Sequence, residues 1–261
     1  MKTMPYANNQ GVQVHYEVEG NGPSLVLQHG LSETHETWSI GSYVESLMKD
    51  YTLILMDARG HGASDKPHDP KAYIMKLMVT DVITVLDDLN VSKAHFLGYS
   101  MGGWIGFGIA KYAPQRFHSL IISSMHPYAK PNEPEQSLQW LRLDMSAKLA
   151  LAEKWLGSGM TPEWKAWVHA PFAANDWEAL IALVSRDWAC SFDSVLPTMT
   201  MPVLLLVGES DSYYAGAREC VKSIPNATFV SFPGLGHTGT FLRKDLVLPH
   251  IIKFLKKVGQ P

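Results

Sequence analysis

Ser100 stands in the run Gly98-Tyr99-Ser100-Met101-Gly102, between an apolar stretch that reads as a strand (95–97) and a small-residue stretch that reads as a helix (101–112). That spacing suits a nucleophile held on a tight strand-to-helix turn. Side chains two residues to either side of the serine would collide with packed backbone, and Gly98 and Gly102, with Gly103 behind them, remove those collisions. The start of the following helix turns free N–H groups towards negative charge developing beside the serine. The chemistry such a turn serves is acyl transfer.

A serine hydroxyl is a weak nucleophile until a base takes its proton. His237 is the expected base, because it follows the last strand-like run in the glycine-rich loop 233–239. His250 falls inside a helical pattern, His169 in a region without strands and His126 at a strand end, so these read as packing or surface residues. The orienting acid is expected at the end of the preceding strand, where Asp211 lies just beyond 203–207. Glu209 is the rival but comes too early, and the segment after 120–123 offers no carboxylate. Asp211 would hold His237 in the right tautomer and stabilise its charged form. An oxyanion needs two donors: the Met101 N–H, and the Leu31 N–H in the loop after His29-Gly30. Losing one such donor costs about 10²- to 10³-fold in rate.

These groups need a scaffold, and the hydrophobic pattern supplies one. Strand-like runs at 12–19, 24–28, 51–56, 95–97, 120–123, 203–207 and 228–232 alternate with helical segments at 74–89, 101–112 and 245–257. The face of 74–89 is apolar apart from Asp81. Such alternation is the sign of an α/β fold, a mostly parallel sheet with helices on both faces. The rhythm breaks over 127–197, which lacks strands and holds six of the eight tryptophans: Trp140, Trp155, Trp164, Trp167, Trp177 and Trp188. It reads as a helical cap inserted into a core domain formed by 1–126 and 198–261. Most of its rings should pack the cap on the core, with at least one or two facing a ligand pocket.

At 261 residues the chain can bury one sizeable core, and 46% hydrophobic with 18% charged residues describes a soluble globular protein. A net charge of −3, with Lys253, Lys256 and Lys257 at the spacing of a solvated helix face, gives no reason to bind nucleic acid. Two cysteines, Cys190 and Cys220, make neither a disulfide framework nor a metal site and read as reduced thiols. No apolar run approaches the roughly 20 residues of a membrane span, and no secretory signal is visible at the N-terminus, so a cytoplasmic protein is expected.

Jointly, several motifs resemble the α/β-hydrolase superfamily over nearly all of the chain outside the cap. They are His29-Gly30 followed by Trp38, Asp57-Ala-Arg-Gly-His-Gly-Ala-Ser64, Gly98-Tyr-Ser-Met-Gly-Gly103, Gly208-x-x-Asp211 and Gly236-His237. The resemblance implies an eight-stranded, mostly parallel sheet and no cofactor. Within the superfamily, 57–64 with 98–103 resembles the esterase, enol-lactonase and C–C-hydrolase branch. Asp57, Arg59 and His61 are structural by that resemblance. Beside Asp65 and His68 they look like metal ligands, but their spacing suits a hydrogen-bonded loop. A serine nucleophile disfavours the dehalogenase and epoxide hydrolase readings, and Leu31-Ser-Glu-Thr34 is unlike the glycine run of HGGG lipases.

The expected activity is cleavage of a small, apolar carboxylic ester or lactone through an acyl-enzyme on Ser100. Hydrolytic C–C cleavage would use the same residues but needs a cation in the pocket for a second carboxylate, for which Arg142 and Arg186 are the candidates. Perhydrolase chemistry uses the same triad. A ligand-sensing protein with slow turnover is the alternative from another class.

Overall fold

In the computed structural model, which describes residues 5–129, 133–156, 161–187 and 191–259, eight strands form one sheet. They are β1 (Tyr6–Asn9), β2 (Val12–Gly20), β3 (Ser24–Gln28), β4 (Thr52–Met56), β5 (Ala94–Tyr99), β6 (Phe117–Ser123), β7 (Val203–Gly208) and β8 (Ala227–Phe232). Their order is β1-β2-β4-β3-β5-β6-β7-β8. β1 with β2 and β2 with β4 are antiparallel, and every other pair is parallel. All six residues of β5 and of β7 are buried, the continuous apolar run expected of a strand covered on both faces. β1 was not legible in the sequence. It is short, polar and at the sheet edge, and it joins β2 through Gln10 and Gly11, whose φ values of 54° and 93° are those of a type I′ hairpin turn.

Alternation along the strands sorts the core into two layers. On β3, Val26 faces one layer while Leu25 and Leu27 face the other. α1 (Glu36–Ile40), α2 (Tyr43–Leu47), α10 (His237–Leu242) and α11 (Lys244–Lys257) cover the leucine side. α3 (Met75–Asp88), α4 (Met101–Tyr112) and α9 (Tyr214–Cys220) cover the valine side. Asp81, the polar exception on α3, is buried. It accepts bonds from Arg59 Nε and Nη2 at 2.6 Å each and from Asn9 Nδ2 at 2.7 Å, so it ties the loop after β4 to α3 and β1. An ion pair taken out of water in this way persists only because each partner is saturated with further bonds.

Between β6 and β7 the described chain is helical: α5 (Glu133–Leu141), α6 (Met145–Leu156), α7 (Pro162–Trp167), a π-helical turn at Val168–Phe172 and α8 (Trp177–Asp187). α8 joins the first layer through Leu180, Leu183 and Val184, and α6 and α7 join the second through Ala152, Leu156, Trp164 and Trp167. The segment thus touches both layers. Cys220 is buried, and burial pushes its thiol up to about 12, so it is inert. Trp188 and Cys190 lie outside the described residues.

Candidate active site

Three strand ends converge on Ser100. β3 lies between β4 and β5, so the chain leaves it in one direction and returns on the other side, and the crevice at such a reversal is where open α/β sheets bind ligands. Ser100 follows β5 with φ 53° and ψ −113°, a backbone state that costs about 1–3 kcal/mol and is held by its surroundings. Its N–H donates to Ser123 O on β6 at 2.9 Å. A Cβ on Gly98 would meet Gly102 O at 2.2 Å, so the turn closes only on glycine.

His237 brings its ring to the serine. Sequence reading set it in a loop; instead the glycines of 233–236 lead straight into α10, of which it is the first residue. Its Nε2 lies 2.9 Å from Ser100 Oγ and its Nδ1 2.9 Å from Asp211 Oδ2. The ring sits between Tyr99 and Tyr213, each with a centroid separation of 5.3 Å. Asp211 follows β7 and is buried, and its Oδ1 accepts the Tyr213 N–H at 3.1 Å. A carboxylate can only accept, so Nδ1 carries the proton and Nε2 is free to take one from Ser100. Glu209, the rival acid, accepts from Ser231 Oγ at 2.9 Å instead. His169 bonds to Glu153 and His250 is exposed against Phe232, while the His126 ring lies against Tyr213 and accepts the Tyr128 N–H.

Met101 follows Ser100 at the start of α4, and Leu31, in the loop after β3, lines the same cavity as Ser100; neither backbone N–H has a protein acceptor among the described residues. Two unspent backbone donors beside a nucleophile suit an incoming oxyanion.

A cavity of about 260 Å³ opens over Ser100 and His237. Of the five described tryptophans of 127–197, four line it, Trp140, Trp155, Trp164 and Trp167, with Phe172 and Phe241. Trp177 packs behind them on Trp140 and Phe172. No Lys or Arg side chain lines the cavity among the described residues: Arg142 is exposed, and the side chain of Arg186 lies outside the described residues. Lys148 is buried with Nζ 4.6 Å from the Trp177 ring centroid. Glu33, by contrast, does line the cavity, and no sequence signal marks it: a single carboxylate in a loop has no period or motif to betray it.

Residues 23–159 match the model of the family described as alpha/beta hydrolase fold. The chain belongs to that family. A hydrolase from Pseudomonas aeruginosa PA01 superposes with a TM-score of 0.87 at 25% identity, covering 97% of this chain and 98% of that one. The enol-lactonase from Burkholderia xenovorans LB400 superposes with a TM-score of 0.85 at 25% identity, covering 97% and 100%. A Bacillus subtilis (strain 168) protein provisionally named 2-succinyl-6-hydroxy-2,4-cyclohexadiene-1-carboxylate synthase is 25% identical over 252 residues, 86% of this chain and 89% of that one.

In this α/β hydrolase the metal-like residues of 57–68 are spent on hydrogen bonds. Asp57 accepts from His15 Nδ1, His35 N and Ala63 N at 2.9, 2.8 and 3.0 Å. Burial opposes its charge, but the bonds from His15 and His35 hold the carboxyl well below the usual carboxylate range. His29 Nε2 accepts the Ala58 N–H at 3.1 Å and His61 Nε2 accepts the Ser32 N–H at 3.2 Å, which fastens this loop to the one carrying Leu31. Burial pushes His29 down to about 4 and His61 to about 3. Asp65 accepts the Gln13 N–H, and His68 pairs with Asp176. Among the described residues, only His15, His35 and Asp57 bring three possible ligand atoms within 4.8 Å of one another, and both ring Nδ1 atoms there already bond to Asp57.

Proposed function

We propose that this α/β hydrolase cleaves carboxylic esters or lactones, with Ser100 as nucleophile, His237 as base and Asp211 as orienting acid. The observation that carries the reading is the continuous relay Ser100 Oγ–His237 Nε2 and His237 Nδ1–Asp211 Oδ2, at 2.9 Å each, on the floor of an apolar cavity. Ser100 Oγ attacks the carbonyl carbon as His237 takes its proton. The N–H groups of Leu31 and Met101 receive the oxyanion, and His237 passes the proton to the leaving alkoxide. Water, deprotonated by His237, then frees the acyl group. Segment 127–197 acts as the cap whose tryptophans hold the substrate's apolar part. The enol-lactonase likeness supports this substrate class. The absence of a lining cation among the described residues weighs against C–C cleavage of a diacid.

The test is hydrolysis of p-nitrophenyl esters from acetate to decanoate by the native protein and by Ser100→Ala. Turnover that vanishes in the variant is the expected result, and native-like turnover there would sink the reading. A single slow turnover with retained product would favour a sensing role.

A further inference from the structure

Glu33 lies in the loop that carries Leu31 and is the one carboxyl side chain lining the cavity over Ser100, among the described residues. Its Oε2 accepts the Gly30 N–H at 2.8 Å, while its own N–H donates to Gly30 O at 3.3 Å. The side chain is therefore folded back onto its own turn and held in place. No described residue pairs with Oε1. The titratable groups that face Glu33 are His237 from α10 and Tyr99 from β5. No Lys or Arg side chain answers it among the described lining residues, and apolar and aromatic side chains form most of the remaining wall.

Resting on the ester-hydrolase reading, we propose that Glu33 sets the charge of the substrate: it turns away acyl groups that carry a carboxylate and leaves the cavity to uncharged esters or lactones. A fixed carboxyl with no Lys or Arg beside it, in a wall of low polarity, repels a second carboxylate far more than it would in water. Burial in the apolar cavity pushes this carboxyl up to about 7, against the opposing Gly30 hydrogen bond and the nearby His237. Its charge therefore changes in the neutral range. Below that range Glu33 is neutral and an anionic substrate meets only the cost of desolvation; above it the two like charges meet.

The experiment compares p-nitrophenyl valerate with mono-p-nitrophenyl glutarate, which share a leaving group and a five-carbon acyl chain and differ in a terminal methyl or carboxylate. Damage to the loop or titration of His237 lowers both rates together, so the ratio of kcat/KM values isolates charge. The native protein should favour valerate by about 100-fold at about pH 8.5, and by about tenfold less at about pH 6, where glutarate keeps its charge. Glu33→Gln retains an oxygen for the Gly30 N–H and should give the smaller ratio at both pH values. A native ratio that is flat with pH, or one unchanged in Glu33→Gln, overturns the proposal. The native pH dependence decides alone if the variant does not fold. Failure of the native protein to hydrolyse either ester overturns the ester-hydrolase reading and this inference with it, whereas turnover with an unaltered ratio overturns only the inference.

Discussion

A Cβ on Gly102 would stand 2.1 Å from the carbonyl oxygen of Gln28, so α4 and β3 meet backbone to backbone beside the nucleophile. One carries the Met101 N–H and the other leads to Leu31. Gly102→Ala must prise them apart, at about 1–3 kcal/mol of overpacking. If that contact sets the two donors, the kcat for p-nitrophenyl butyrate falls by about 10²-fold. Gly239→Ala, where a Cβ meets nothing closer than 3.6 Å, is the control and should keep its activity. Native kcat in Gly102→Ala would show that the donors do not depend on this contact.

Asp211→Asn replaces an acceptor with a group that can donate, and so favours the wrong tautomer of His237. The expected loss in kcat is about 10⁴-fold, with KM little changed. Glu209→Gln should retain native kcat, because that carboxylate is exposed and bonded to Ser231. Steady-state kinetics of the two variants side by side decide which carboxylate serves the histidine.

Two cavity tryptophans should separate specificity from stability. Trp155 lines the cavity yet is 47% exposed, whereas Trp167 is buried against Trp164 and Phe172. Trp155→Ala should lose activity on decanoate more than on acetate, with little change in Tm. Trp167→Ala should cost about 3–5 kcal/mol in a urea melt. Equal losses on both esters for Trp155→Ala would make that ring a packing residue.

Acid should unfold this protein through its histidines. His29 and His61 each donate from Nδ1 to a carbonyl and accept a backbone N–H at Nε2, so both are required neutral. Their folded values of about 4 and about 3 lie below the unfolded value of about 6.5. The stability they confer is complete above about pH 6.5 and is lost as pH falls towards 4. Unfolding near pH 5 should take up about two protons from this pair, and His61→Gln should remove about one. Urea unfolding free energies of the native protein and of His61→Gln at pH 7, 6 and 5 measure the two slopes; Glu33 contributes with the opposite sign but equally to both, and equal slopes would refute the assignment.

Legibility in the sequence followed the strength of the physical constraint. Gly98 and Gly102 announced the turn because backbone approach forbids any other residue there, and chain order then pointed to Asp211 and His237; the fold sets His237 in hydrogen-bond reach of Asp211 on one side and of Ser100 on the other. The interior strands were readable because burial on both faces demands unbroken apolar runs. β1 was missed because its pairing depends on β2 and on a Gln10-Gly11 turn rather than on its own composition. Asp81 showed as an irregularity on an apolar face, but its partners Arg59 and Asn9 lie on distant segments and no local pattern names them. Glu33 was invisible for the same reason, since its surroundings come from β5, α10 and the helices of 127–197.

β6 and β7 are neighbours in the sheet, paired from Leu120 with Val203 to Ser123 with Leu206, and everything from Ser124 to Pro202 departs and returns between them. A parallel crossover needs only about a dozen residues, so most of this excursion is not required to build the sheet. Insertion, deletion or recombination there leaves the register of the strands that carry Ser100, Asp211 and His237 untouched. Descendants of this gene can therefore rewrite the tryptophan-bearing wall while inheriting the reaction unchanged, and a laboratory graft of a relative's segment at the same two ends exploits the same freedom.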